Sequence, residues 1–406
     1  MIKINSAFFD HHFQKILIFL FLLSTFFWQR FQTPIIILML VGLFFSHVDK
    51  STIRQRISIQ NPSIWFVLFF ILHLLGLIYS DDLIFGLNDI SMKLAMLAFP
   101  IYFLFSKGYS LYSLMNLFTY FGCVSVLICL GIMSYKMLFL SHNVLNSESE
   151  FSFFLHRGYQ AIYWCIGFFW CLYICTTQES KYHFLVLAFI LLIGTFFTFS
   201  KAGIICLVLG LIYFLFLLAY RFRMYKIVVA SILFIISTFI SINLITPKPA
   251  ARLDTMFNSL FYGSTEANDS NNVRLLVWSA SIDIIKKEPF TGVGTGDVKN
   301  SLRIRNIESG NHHLAEKEYN SHNQFLNTGV ALGIPGLIIL IVIILLCLKY
   351  MNRNLKPVWI YNLILFSIIF FMFTESALER QAGIVFFTFL ICGLGSGGFV
   401  QSNLKD

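Results

Sequence analysis

Charge is what this chain has least of. Asp, Glu, Lys and Arg make up 12% of its 406 residues, against roughly a quarter in a water-soluble domain. That is too little to cover a surface facing water, so most of the surface must face lipid. A disulfide framework and a zinc site are missing as well. The eight cysteines (Cys123, Cys129, Cys165, Cys171, Cys175, Cys206, Cys347 and Cys392) all fall inside apolar runs, and none forms a CxxC pair. They read as small apolar residues packed between helices. No small-residue cleavage site follows the first apolar run, which therefore reads as a retained helix. No internal repeat or low-complexity tract stands out.

What the chain has in quantity is apolar side chain, 57% in all, with 47 Phe. A run of roughly 17 to 25 such residues spans a bilayer as a helix. Runs of this kind lie at 15–29, 33–48, 63–80, 83–105, 110–139, 158–176, 182–199, 202–220, 225–245, 324–349, 357–373 and 382–400. The fold class is all-α integral membrane, with about 12 transmembrane helices. The span over 83–105 carries Asp89 and Lys93, four apart on one helical face, where each can neutralise the other.

With the N-terminus in the cytoplasm, fourteen Lys and Arg fall on the cytoplasmic side. The short outer loops hold five, namely Arg30, Lys136, Arg157, Lys201 and Arg380. By the positive-inside rule both termini are cytoplasmic. The net charge of +9 is then membrane anchoring and requires no nucleic acid. Three regions follow: a membrane region over 1–245, a large outer loop over 246–323, and a C-terminal membrane region over 324–406. The loop holds nine basic and nine acidic residues, so it is nearly neutral and reads as folded, with short helices. Asn271 and Asn272 can cap a helix beginning near Arg274. Leu275, Trp278, Ile282 and Ile285 would form its apolar face. Pro289 and the glycines of Phe290-Thr291-Gly292-Val293-Gly294-Thr295-Gly296 would end it. Gly333-Ile334-Pro335-Gly336 should kink the tenth span.

Three cationic or titratable positions fall at the outer boundary. Lys201, in the turn Ser200-Lys201-Ala202-Gly203, is either a snorkelling anchor or an ammonium aimed at a lipid-linked phosphate. Arg274, one turn from Trp278, is either an exposed loop residue or a planar fork for phosphate oxygens. His322 directly precedes the tenth span. It is either a surface residue or an imidazole kept neutral by the positive end of the helix dipole, and so able to take a proton. Glu375, Glu379 and Arg380 share the last outer loop, where they form a structural ion pair or assist the site. Arg157 sits in another outer loop. His312, His313 and His322 lack a spaced acidic or cysteine ligand, so no metal site is expected. The Gly292–Gly296 run has no strand before it and no Lys-Ser/Thr after it, which makes it a turn and not a nucleotide loop.

The order of the Lys201 hairpin, Arg274-x-x-x-Trp278, Pro289-Phe290-Thr291-Gly292-Val293-Gly294, Ser321-His322-Asn323-Gln324-Phe325-Leu326 and Gly333-Ile334-Pro335-Gly336 resembles the O-antigen ligase and polymerase superfamily. The stretch from Glu375 to Gly383 resembles the equivalent family loop. The resemblance implies a bacterial inner-membrane enzyme with its site facing the periplasm and the large loop between helices nine and ten. It further implies glycan transfer from an undecaprenyl-diphosphate donor, inverting, with neither metal nor cofactor. A ligase passes the glycan to lipid A core, and a polymerase passes it to a second lipid-linked glycan. The His-Asn-x-Phe-Leu stretch favours the ligase type. By position, His322 would be the general base and Arg274 would hold the diphosphate. Lys201 stands where the family usually has Arg, keeping the charge but losing the fork. Trp278, Asn323, Arg157, Glu375, Glu379 and Arg380 would support the site. No Asp-x-Asp motif is present to hold a metal for a nucleotide sugar. A membrane transporter is the alternative of another class; it would place charge deep inside helices, as only Asp89 and Lys93 do here.

Overall fold

The computed structural model describes residues 13–44, 50–139, 151–177, 182–220, 223, 225–226 and 270–400. Among the described residues, ten α-helices precede the polar segment: α1 (Gln14–Phe27), α2 (Gln32–Leu43), α3 (Lys50–Arg56), α4 (Pro62–Ile78), α5 (Leu83–Lys93), α6 (Ala95–Phe105), α7 (Leu111–Phe139), α8 (Arg157–Thr177), α9 (His183–Phe197) and α10 (Lys201–Tyr220). Within the polar segment lie α11 (Ser270–Lys287), α12 (Val298–Glu308) and α13 (His312–Glu316). After it come α14 (Gln324–Asn354), α15 (Val358–Thr374) and α16 (Gln381–Gly395). The strands among the described residues are two short ones, Tyr109–Ser110 and Phe399–Val400, paired in parallel.

Among the described residues, five stretches are long and apolar enough to cross a membrane: Leu83–Phe105, α7, α8, α10 and α14. Six shorter apolar helices join them: α1, Gln29–Leu43 (which includes α2), α4, α9, α15 and α16. These fall on the expected segments. The exception is 225–245, which lies outside the described residues beyond Tyr225 and Lys226. The run over 83–105 is present as one 23-residue stretch, with a tighter turn at Leu94 between α5 and α6, where the Leu97 N–H meets the Leu94 carbonyl at 3.0 Å. One expected segment needs correction. The last helix stops at Gly395, because Phe399–Val400 turns away to pair with Tyr109–Ser110.

The bundle is organised around α8, which is buried along nearly its whole length against α7, α9, α10 and α15. A helix covered on every side can carry polar groups that a lipid-facing one cannot. Its aromatic residues do so with partners. Trp164 Nε1 donates to Ser125 Oγ at 2.9 Å, Trp170 Nε1 to Asn116 Oδ1 at 2.8 Å, and the Tyr163 hydroxyl to the Ala382 carbonyl at 2.6 Å. α16 is equally enclosed. The outer helices do the opposite and show Ile, Leu and Phe outward, among them Ile37, Val186, Phe189, Ile212, Phe216, Ile338 and Leu345.

The Gly-rich loop and the break in α14 are one device. Gly333 leaves the helix at φ 64, and Pro335 has no N–H to give. The carbonyls of Val330 and Ala331 thereby lose their helical donors, a loss costing several kcal/mol each away from water. The loop replaces them. Val293 N–H reaches Val330 O at 2.8 Å, Gly294 N–H reaches Ala331 O at 3.0 Å, and Ile334 N–H turns to Pro289 O at 2.7 Å. The expected kink is therefore present, with its partner loop docked in it. The same loop holds the α4–α5 turn. Thr295 Oγ1 donates to His73 O at 2.7 Å, and the Asp297 carboxylate accepts from the N–H groups of Asp81 and Asp82 at 2.8 and 2.9 Å. Gly292 sits at φ 64, and a Cβ there would stand 2.5 Å from Val330 O. Gly292→Ala should therefore lower stability by at least the roughly 1–3 kcal/mol of a strained backbone residue, seen as a lower thermal midpoint of the purified chain.

Candidate functional site

The site forms where the polar segment meets the bundle. α11 begins at Ser270 and not near Arg274 as expected, which sets Arg274 inside its second turn. Its buried face is Val273, Val277, Ala280, Ser281 and Ile284, whereas Leu275 and Ile282 are exposed. The expected apolar face is therefore corrected. Small side chains let α11 lie close against α14, and at Gly329 an added Cβ would stand 2.6 Å from Ile285. Size and fit, not apolarity alone, choose the face.

His322 precedes α14 in a left-handed conformation, φ 42, which is uncommon for a residue with a side chain. It is held there from both sides. Its own N–H donates to Asn320 Oδ1 at 3.0 Å, and Asn323 caps the helix by accepting from Phe325 and Leu326 N–H at 2.9 and 3.2 Å. Asn323 thus serves the backbone. Ser321 Oγ and Ser281 Oγ stand 3.0 Å apart and fasten the turn to α11.

Glu375, between α15 and the short 3₁₀ turn Ala377–Glu379, gathers the two other groups. Its Oε2 lies 3.1 Å from His322 Nδ1, and its Oε1 lies 3.2 Å from Arg274 Nη2. The three side chains are 18–25% exposed, so the group is partly shielded from its surroundings. Burial raises the Glu375 pKa. The hydrogen bond from His322 and the charges of His322, Arg274 and His156 outweigh it and hold the carboxyl below its ordinary 4.5. A carboxyl held low in the folded chain contributes stability above its ordinary value, and that contribution is lost as pH falls through the depressed one. Glu375→Gln should therefore flatten the fall of the thermal midpoint below pH 4.5, as followed by an acid titration of unfolding.

His156, which the sequence reading left without a role, stands at the entrance to α8. Its carbonyl accepts from Tyr159 N–H at 3.0 Å. Burial, and then the charge of Arg380, lower the pKa of its imidazole, with Glu375, Arg157 and His322 also acting on it. Arg157 and Arg380 are thereby placed around the Glu375 site. Lys201 opens α10 at the same end of the bundle, where Ser200 Oγ accepts from Gly203 N–H at 3.3 Å. A Cβ on Gly203 would collide with that of Ala161, one turn into α8. The charge on Glu375 is met by His322, Arg274 and His156. Trp278 lies one turn from Arg274, and its Nε1 has no hydrogen-bond partner among the described residues.

Glu379 points elsewhere. It joins Lys93 at 2.6 Å, and Lys93 also holds Asp89 at 2.6 Å. The expected Asp89–Lys93 pair is thus extended by a second carboxylate. Removing one member of such a buried ion cluster costs about 3–5 kcal/mol. Among the described residues no group of three His, Cys, Asp or Glu could hold a metal ion; His312 and His313 sit on the five-residue α13.

Residues 186–341 match the protein-family model described as O-Antigen ligase. The match takes in 156 of the 406 residues. The matched segment takes in Lys201, Arg274 and His322, while Glu375, which joins the last two, lies beyond it. An uncharacterized protein of Haemophilus influenzae is 30% identical over 135 residues, covering 31% of this chain and 34% of that protein. The chain thus spans about a third of the length of the curated relative it matches. The match, together with the apolar helices, supports a relation to the O-antigen ligase superfamily and a place in a membrane.

Proposed function

We propose that the protein transfers a glycan from undecaprenyl diphosphate to a sugar of lipid A core at the periplasmic face of the inner membrane, without metal and with inversion. The carrying observation is the convergence of His322 and Arg274 on Glu375 in a chain with an O-antigen ligase domain. Glu375 accepts the Nδ1–H of His322, leaving Nε2 free to take a proton. The acceptor hydroxyl gives that proton to Nε2, and its oxygen attacks the anomeric carbon from the face opposite the diphosphate. The bond from the anomeric carbon to the phosphate oxygen breaks, and the carrier leaves as its diphosphate. Arg274 offers donors to the charge that develops there. Glu375 meanwhile faces the imidazolium formed on His322. Lys201, Arg157 and Arg380 add positive charge around the departing phosphates.

About twelve spans with both termini cytoplasmic would put the starts of α8, α10 and α14 on the outer side. The grouping of these ends with the polar segment supports that reading, and so does Arg56 at the other end. There its guanidinium donates to the carbonyls of Phe103 and Ser106 at 2.7 and 2.6 Å, in keeping with a cytoplasmic anchor. A polymerase joining lipid-linked repeat units would use the same groups. The buried Lys93 cluster is the one feature that favours a transporter, but one of its carboxylates, Glu379, belongs to the short loop that carries Glu375. Deleting the gene in its host separates the readings. A ligase leaves lipid A core bare while finished polysaccharide stays on the carrier; a polymerase leaves core bearing single repeat units. Unchanged polysaccharide in both fractions would overturn the proposal.

A further inference from the structure

We infer that Lys93 and Gln324 are positioning residues that hold His322 and Glu375 at hydrogen-bond distance. Lys93 is wholly buried at the end of α5. Its ammonium lies 2.6 and 2.7 Å from the two oxygens of Asp89 and 2.6 Å from Glu379 Oε2. The other oxygen of Glu379 accepts from Gln324 Nε2 at 3.2 Å, and Gln324 Oε1 accepts from Leu378 N–H at 2.6 Å. Thr328 Oγ1 takes the second donor of Gln324 at 3.2 Å.

The chain positions give this clasp its meaning. Gln324 is two residues after His322, with the cap residue Asn323 between them. Leu378 and Glu379 follow Glu375 within one short turn, in which Glu379 N–H donates to Ser376 O at 3.2 Å. One side chain therefore ties the start of α14 to the turn after α15, and Lys93 fixes that turn to a third element. Tyr159 adds a fourth tie through its hydroxyl, 3.3 Å from Ala377 O. With the strained turn at His322 held on one side and the Glu375 turn on the other, little freedom remains in the distance between imidazole and carboxylate. A misplacement of about 1 Å at such a pair can cost about 100-fold in rate.

This inference rests on the proposed transfer for its kinetic arm and stands apart from it for its chemical arm. Groups facing His322 are Glu375, with Tyr319, whose ring centroid is 5.7 Å away, and Arg274 and His156 across Glu375. The full chain in lipid nanodiscs is treated with diethyl pyrocarbonate across a pH series, and modification of His322 is followed by peptide mass spectrometry. The Gln324→Leu variant removes the clasp without leaving a buried charge. Its His322 profile should move to coincide with that of Glu375→Gln, and kcat should fall about 100-fold with the donor KM unchanged. Lys93→Met, and Lys93→Met with Glu379→Gln, should do the same wherever they fold by thermal midpoint. A folded Gln324→Leu chain that keeps the unchanged profile and kcat overturns the inference. So does failure of all three variants to fold, which would make the cluster a support of the whole bundle. An unchanged chain that transfers nothing, while the Gln324→Leu and Glu375→Gln profiles still merge, would leave the clasp standing and remove the proposed transfer.

Discussion

His322→Ala should lower kcat for glycan transfer by about 10²–10⁴-fold, the range for loss of a general base, in a chain that still folds. The reason is geometric. His322 Nδ1 is engaged by Glu375 at 3.1 Å, which orients the ring and leaves Nε2 as the nitrogen for the proton. Alanine keeps the cap at Asn323 and the tie at Ser321, so the fold around the turn survives. It also removes a β-carbon substituent from a left-handed position, which costs nothing in strain. Purified variant and unchanged chain, assayed with the same lipid-linked donor and a lipid A core acceptor, give the comparison. Equal rates in a folded variant would remove the imidazole from the chemistry.

Arg274→Ala should cost about 10²–10³-fold in kcat, as loss of one donor to a developing oxyanion does. Arg274→Lys should recover only part of this. A lysine keeps the charge but offers a flexible point donor in place of a planar fork, and its shorter polar head must reach both Glu375 and the phosphate. Arg274→Ala also takes a cation from Glu375, whose low pKa owes part of its shift to Arg274, whereas Arg274→Lys leaves one there. The acid limb of the pH–rate profile should therefore move to higher pH in Arg274→Ala than in Arg274→Lys. If the two variants matched each other in rate and in profile, Arg274 would not be presenting a bidentate fork.

Most of the helical layout was legible before any coordinates. Apolar runs are read directly because lipid rewards each residue for its own character, largely without regard to neighbours. The kink at Gly333 and Pro335 was legible for the same local reason, since a missing N–H is a property of the residue itself. The Asp89–Lys93 pair could be read because four residues make one helical turn. By contrast, the buried face of α11 was misjudged. Leu275 and Ile282 are the more apolar residues, yet Val277, Ala280 and Ser281 are the ones that let α14 approach. The second carboxylate on Lys93 was not legible, because Glu379 lies 286 residues away in the chain.

The site divides along the same line. Arg274 and His322 stood out because each is a chemically apt residue at an element boundary. Glu375 stood out less, as one of three charged residues in a short loop, and nothing local separates it from Glu379. The tertiary structure alone decides that Glu375 faces His322 and Arg274 while Glu379 faces Lys93. A count of buried charge could have hinted at the second assignment, since Lys93 inside a lipid-facing bundle needs more than one partner. His156 had no such signal, because its place beside Glu375 comes from the packing of α8 against α15.

By itself, the order of residues determined that the chain lives in lipid, where its helices run, and which basic and imidazole groups could meet a phosphate. Only the packed fold decided which carboxylate serves them and which is locked away. Helix formation in lipid is set within about 20 neighbouring residues, whereas the partner of a charge is set by whatever distant segment the fold brings within 3 Å or so of it.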